Sequence, residues 1–563
     1  MKLGFSVLAV TIGAGFLPAC GDVGDVQEEA VATEQSAVNQ TFAQHKAACQ
    51  ADPRVQSGVV TVDECTGADI FFKETFNGNG RTCGTCHRLE RNFAIDATFI
   101  GRLPPSDPLF IAENNSALTN LEVPEQMRQR GLILENVDGT LPEGPTVRFV
   151  LRSVPHNLSQ GVSIKSPGGQ NDPAVDRTGW SGDGAPFTGL NGSDVPMTGR
   201  LEDFTMGAIN QHFTKTLNRV AGADGGGGDF RKAKELEGAA VATFMKQLGR
   251  LNDINLASVG FSDPGAELGR QRFLTVGCND CHGNAGANIP ANPPNGPVFN
   301  FSQQTGTDGS RNPELAGFPQ DGGNSFFQGP TPPGPLGNGL FNPPPLIEAA
   351  DTGPFFHTDI SVVGAVSENT SSAQTIEQAA AFYTSPAFQN SGGNVIAPVN
   401  ANAADIAAIG RFLRAINAVF NIQMASNRIQ GARTMANVLG NVARVDRMQR
   451  RMAQMTLFEL DDAVRVLSGV SNLNVAQANR VRTARTRLLT VINTPGTSAT
   501  AFNTRMSNFG NAFNDLDLAD TEISANILFQ IGNGTRMDCA DPSTNGQPGN
   551  APCFNPALRT AAP

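Results

Sequence analysis

Cys83-Gly84-Thr85-Cys86-His87 and Cys278-Asn279-Asp280-Cys281-His282 are two copies of one pattern, C-x-x-C-H. That spacing attaches a c-type haem. The two thiols form thioethers with the haem vinyl groups, and the histidine is thereby set under the iron as proximal ligand. Zinc knuckles and redox C-x-x-C sites are the competing readings, but neither needs a histidine at this fixed offset. The pattern predicts two covalently bound haem c groups. Cys83, Cys86, Cys278 and Cys281 would attach them, and His87 and His282 would ligate the irons. Two haems in 563 residues predict two haem domains.

The beginning of the chain predicts its compartment. Met1-Lys2 precedes an apolar run over residues 3–17, followed by Leu17-Pro18-Ala19-Cys20. A charged start, an apolar core and small residues before a cut mark a secretory signal, too short for a comfortable membrane span. Ending in Cys20, it resembles a bacterial lipoprotein signal, with an ordinary signal cut nearby as the alternative. Residues 1–20 are read as that signal and 21–37 as a flexible acidic tether. The expected location is therefore exported: periplasmic, outer-membrane-anchored or at the cell surface, with membrane contact only through a lipid anchor. Four further cysteines form two local pairs, Cys49 with Cys65 and Cys539 with Cys553. An oxidising compartment favours disulfides there over free thiols.

The formal charge is −11, and Lys and Arg form no long basic patch. Nucleic-acid binding is not expected. An acidic surface could steer a small basic electron-donor protein.

Apolar spacing is helical over residues 201–220, 230–250, 373–383, 403–422 and 429–470, and strand-like alternation is sparse. The fold class is mainly α. The four glycines at 225–228 read as a loop, and the Gly-, Pro- and Asn-rich stretch 284–345 as a long irregular excursion. The expected organisation is a first haem domain over 38–223, a second over 228–422, and a helical extension with a disulfide-clipped tail over 423–563. Met448, Arg451, Met452 and Met455, at helix spacing, read as a packed helical pair.

His357 ends the run Asp351-Thr352-Gly353-Pro354-Phe355-Phe356-His357. Thr375-Ile376-Glu377 then opens a short segment reaching Tyr383, and Gly410-Arg411-Phe412-Leu413 lies in a later helix. At these residues the chain resembles the bacterial di-haem cytochrome c peroxidase and MauG superfamily. The resemblance continues through Arg152-Ser153-Val154-Pro155, Trp180-Ser181-Gly182-Asp183-Gly184 and Leu201-Glu202-Asp203-Phe204-Thr205-Met206-Gly207-Ala208-Ile209, and spans about residues 72–422. It implies two cytochrome-c-like haem domains. Tyr383 would be the sixth ligand of the His282 haem, with His357 as the other candidate. Trp180 would lie between the haems and pass electrons. Thr352-x-Pro354 resembles part of the superfamily's inter-domain calcium site, which adds Ca2+ to the expected cofactors.

The departures shape the expected chemistry. The superfamily carries Gln, Pro and Glu along the helix covering the first haem; the same spacing here gives Phe204, Ala208 and Thr214. Without that acid–base glutamate, cleavage of peroxide is expected to be poor. An apolar face suits O2 and an apolar substrate. Phe204 to Ile209 with Gln211-His212-Phe213 also resembles the rubber oxygenases, although this chain has no histidine after His357 to match their C-terminal iron ligand. His212 is read either as a pocket residue or as an exposed helix residue. The chain has 35 phenylalanines but one tyrosine and one tryptophan. Either stray oxidisable rings are excluded, or the composition has drifted.

The implied function is an exported di-haem oxidoreductase, with the His87 haem open on the Phe204 side and the His282 haem six-coordinate. It would activate O2 against an apolar small molecule or polymer. The alternatives are a peroxidase or MauG-like enzyme using H2O2, and a plain di-haem electron carrier.

Overall fold

The structure is a computed structural model. It describes residues 42–136, 149–164, 178–179, 200–223, 227–287, 303–304, 321–323, 336–356, 373–470, 472–541 and 553–558. It is mainly helical, and its strands are short. Two helix crossings of the same construction organise it.

The first crossing begins with α1 (Val62–Lys73). Thr61 caps it reciprocally with Glu64: the Glu64 amide donates to the Thr61 hydroxyl, and the Thr61 amide to the Glu64 carboxylate. α1 leads to the single-turn helix α2 (Cys83–Cys86). Further on, α3 (Leu201–His212) and α4 (Glu235–Lys246) follow. α4 lies across α1 so closely that a Cβ on Gly67 would stand 1.9 Å from the Ala240 carbonyl oxygen. Only a glycine permits that approach. Four residues beyond each partner, Phe71 and Phe244 meet with ring centroids 5.4 Å apart.

The second crossing repeats the design. Asp263 caps α5 (Pro264–Thr275) by accepting from the Ala266 amide at 2.8 Å, with Pro264 at the first helical position. Then come the single-turn α6 (Cys278–Cys281), α7 (Ile376–Phe382) and α8 (Ala403–Leu439). A Cβ on Gly269 would stand 1.9 Å from the Ala408 carbonyl oxygen, and Phe273 meets Phe412 at 5.6 Å. Each crossing thus pairs Gly-x-x-x-Phe with Ala-x-x-x-Phe, just ahead of a C-x-x-C-H turn.

α8 runs unbroken for 37 residues. Its course passes the boundary expected at residue 422 and the gap expected before 429, since the intervening Gln423-Met424-Ala425-Ser426-Asn427-Arg428 holds no breaker. The break falls at Gly440, whose φ of 75° ends the helix. α9 (Ala443–Ser468), α10 (Val475–Ile492) and α11 (Ala499–Ile523) complete a bundle with α8. Short links make its neighbours antiparallel. Met448, Met452 and Met455 are fully buried there, as the packed-pair reading expects. α3 stops at His212 and α4 begins at Glu235, both shorter than the predicted helices.

Both expected disulfides form, Cys49–Cys65 and Cys539–Cys553, with Cα separations of 5.6 and 5.9 Å. Buried charge ties the segment at residues 52–54 to the segment around residue 538. Arg54 pairs with Asp52 at 2.9 Å and Asp538 at 2.8 Å, and Asp538 also meets Arg451. No described helix is long and apolar enough to cross a membrane.

Candidate functional site

The first motif is held by its flanks. Thr82 and Thr85 cap α2 through the Thr82 amide, which donates to the Thr85 hydroxyl at 2.9 Å. Arg81, fully buried, donates to Glu122 at 2.7 Å and to the Leu109 carbonyl at 2.8 Å. Asn92 and Phe93 turn left-handed, with φ of 53° and 61°. That turn brings the Phe93 carbonyl to 3.0 Å from His87 Nδ1. A carbonyl can only accept, so Nδ1 carries the hydrogen and the lone pair sits on Nε2.

The second motif repeats this. Gly277, at φ 107°, admits the chain beneath the Pro398 carbonyl, 2.1 Å from where a Cβ would stand. Asn284 and Ala285 turn left-handed after His282. His282 Nδ1 donates to the Pro344 carbonyl at 2.9 Å, leaving its Nε2 to accept or ligate. Burial holds both imidazoles below the usual range, His282 at about 4, so each is neutral at pH 7. The four motif cysteines are not disulfide-bonded. Burial pushes Cys83 and Cys278 up to about 12, and Cys86 and Cys281 up to about 11. They are protonated thiols in this environment. Thiol pairs one turn apart, each followed by a neutral imidazole held through Nδ1, are a donor set that would fit covalent haem.

The two imidazoles face different company. Tyr383 closes α7, which Thr375 and Gln378 cap reciprocally. Its hydroxyl lies 3.5 Å from His282 Nε2, with the rings perpendicular. The imidazole and the phenol would both be available to hold an iron at this motif. Tyr383 is half-buried and packs on Phe382 and Phe388, and its loss of solvent raises the phenol pKa. Among the described residues, no side chain meets His87 Nε2 in this way.

The other expected site residues fall as follows. Phe204 is 37% exposed on α3, with Ala208 half-buried one turn on. Thr214 is fully buried, and its hydroxyl donates to the Thr216 carbonyl. His212 is half-buried, not exposed. Trp180 and His357 lie outside the described residues. Their neighbours are held: the Gly179 carbonyl accepts from Asn342 at 2.6 Å, two residues before Pro344. The Phe356 carbonyl accepts from the Ser153 hydroxyl at 2.8 Å.

A buried acidic junction was not foreseen. Asn92 donates to Asp351 at 3.0 Å and to Asp462 at 2.8 Å, and Asn421 donates to Asp351 at 2.6 Å. Burial and neighbouring carboxylates raise Asp351 to about 7 and lift Asp462 well above its usual range. Asn92 Oδ1 and Asp351 Oδ1 are buried without a hydrogen-bond partner. Beside the Thr352–Pro354 turn, such oxygens suit a hard cation such as calcium. Among the described residues, no three His, Cys, Asp or Glu side chains converge as a metal cluster. Three partners separated by 259 and 370 positions leave no local pattern to read.

No family model, curated protein or solved structure matches the chain.

Proposed function

We propose that this chain is an exported di-haem c-type oxidoreductase that activates O2 toward an apolar substrate. The observation that carries the reading is an asymmetry between two otherwise matching motifs. Each histidine is fixed through Nδ1 on a backbone carbonyl, but His282 Nε2 faces the Tyr383 hydroxyl at 3.5 Å, while among the described residues no side chain faces His87 Nε2 in this way. Cys83, Cys86 and His87 would hold one haem, and Cys278, Cys281 and His282 the other. Such groups supply oxidation–reduction and O2 chemistry. Tyr383 would cap the second site, and the His87 site would stay open toward Phe204 and Ala208.

We propose, further, two cytochrome-c-like units rather than one, on the strength of the repeated crossings. The first would run on to about residue 250, because α4 packs on α1 from beyond the glycine run. Trp180 would pass electrons between the two haems, as the resemblance implies. Asn92 and Asp351 would hold calcium at the junction. A phenol ligand resembles the MauG branch more than the peroxidases, whose equivalent is methionine. A MauG-like activity on a protein side chain is therefore the second reading.

The test is spectroscopic. A pyridine haemochrome count of two per chain, with one high-spin and one low-spin ferric site, is expected. Tyr383→Phe should convert the low-spin component to high-spin and leave the His87 site unchanged. Fewer than two haems, or two low-spin sites insensitive to Tyr383, would remove the proposal. Uptake of O2 by the reduced protein, against bleaching by peroxide, separates oxygenase from peroxidase.

A further inference from the structure

We infer that His212 is the hydrogen-bond donor on the ligand-taking face of the His87 site. This rests on reading that motif as a haem site. The resemblance would seat a polar group at residue 214, where Thr214 stands, but the Thr214 hydroxyl is already given to the Thr216 carbonyl at 2.5 Å and the residue is fully buried. It has no hydrogen left for a ligand. His212 differs on both counts. Its Nδ1 is shut off from solvent and has no hydrogen-bond partner. A buried polar atom left unmatched costs about 1–3 kcal/mol, so a ligand that brings a partner to His212 Nδ1 would relieve that cost.

Placement supports the assignment. Phe204, Ala208 and His212 stand at i, i+4 and i+8 on α3, one above another. They run beside the buried row Leu201, Thr205 and Ile209. Two of the three are the residues that form the apolar face of the proposed pocket; His212 is the one polar member, at its end. The end of α3 is also sutured to the haem-attachment turn. Asn79, four residues before Cys83, donates from its side-chain amide to the carbonyls of His212 and Thr214, both at 2.9 Å. The Asn79 amide donates to the Phe213 carbonyl at 2.8 Å, and Gly78 packs against that carbonyl where a Cβ would stand only 2.1 Å away. The backbone at the end of α3, and with it the root of the His212 side chain, is therefore held to the segment that leads into the C-x-x-C-H turn.

The electrostatic setting suits a donor rather than an acid. Burial first, then Arg81, Arg219 and His87, hold the imidazole near 3. It stays neutral across the working range, with one N–H to give. A neutral donor steadies a small polar ligand without protonating it, which is the behaviour wanted for retaining O2 and not for splitting peroxide.

The test uses the full-length holoprotein, with cyanide on the ferric form and carbon monoxide on the ferrous form as probes. His212→Leu should weaken cyanide binding about tenfold, a loss typical of one hydrogen bond, and raise the stretching frequency of bound carbon monoxide. His212→Gln, which keeps a donor, should recover most of both. Thr214→Val tests the rival position, and a shift there with none at His212 would overturn the inference. So would a low-spin His87 site that His212→Leu turns high-spin, since that makes His212 an iron ligand. A haemochrome count of two in every variant keeps these outcomes separate from failure of the haem reading, which a count below two in the unaltered protein would signal.

Discussion

The two helix crossings, α1 with α4 and α5 with α8, share a backbone and differ in what they add to it. Both bury a glycine against an alanine carbonyl and stack a phenylalanine four residues beyond. Both precede a turn that fixes a histidine on a backbone carbonyl. What differs is the company of the imidazole: a phenol stands 3.5 Å from His282 Nε2, and among the described residues no side chain meets His87 Nε2 in that way, where Phe204, Ala208 and His212 of α3 are the proposed lining. The shared part sets where a haem would sit. The unshared part sets what it would be free to do. Function in such a molecule is written in the residues that break the repeat.

The hardest test of that comparison strikes the shared part. Gly67→Ala and Gly269→Ala each force a methyl to within 1.9 Å of a backbone oxygen. The helices must separate, at a cost of about 3 kcal/mol or more. Each change should loosen its own unit, so Gly67→Ala should lower haem occupancy at His87 and Gly269→Ala at His282, read by mass of the haem-bearing proteolytic fragments. Equal loss at both sites from either change would show that the crossings do not act as separate units.

A smaller effect belongs to the junction between them. Burial raises Asp351 to about 7 from an ordinary value near 4. The folded state thus holds a proton that the unfolded chain has released, and stability falls as pH rises from about 4 to about 7. The expected loss is roughly 2–3 kcal/mol across that window in calcium-free buffer. Asp351→Asn should flatten the slope, and added calcium should flatten it in the unaltered protein. Denaturant midpoints at pH 4.5, 6 and 7.5 read it. An unchanged slope in Asp351→Asn would assign the proton elsewhere.

How far the sequence reached follows the range of the interactions. The C-x-x-C-H turns, both disulfides and the packed methionines are local patterns, and the structure carries them. Tyr383 was singled out through the resemblance alone, and its hydroxyl does stand 3.5 Å from His282. The Gly-x-x-x-Phe repeat stood in the sequence unread, because a glycine in a helix signals close approach without naming its partner. The pairing of α4 with α1 was hidden by the glycine run at 225–228, which looked like the end of a domain. The break in α8 was misplaced for a related reason: nothing in residues 423–428 breaks a helix, and weak apolar spacing there reflects a change of packing partner along one continuous helix. Asn92, Asp351 and Asp462 meet only in three dimensions.

The smallest expected effect distinguishes the units by an addition that the second lacks. His45, from the helix at residues 42–51, donates to Asp69 on α1 at 2.8 Å and contacts Glu74 at 3.3 Å. Burial opposes its charge, but the two carboxylates outweigh that and raise the imidazole to about 9. A raised folded-state value means the clamp is fully in force below about 6.5 and is lost as pH climbs through 9. With a half-buried ring, the contribution is about 1 kcal/mol after screening by solvent. His45→Gln should therefore destabilise the protein at pH 6 and have little effect at pH 10, measured by thermal unfolding. Amide exchange should locate the loosening in α1 and spare α5, because the α5 cap rests on Asp263, whose partner Arg411 stays charged throughout. Exchange that quickens equally in both helices would mean the first crossing transmits its strain to the second, and the two could no longer be treated as parallel copies of one design.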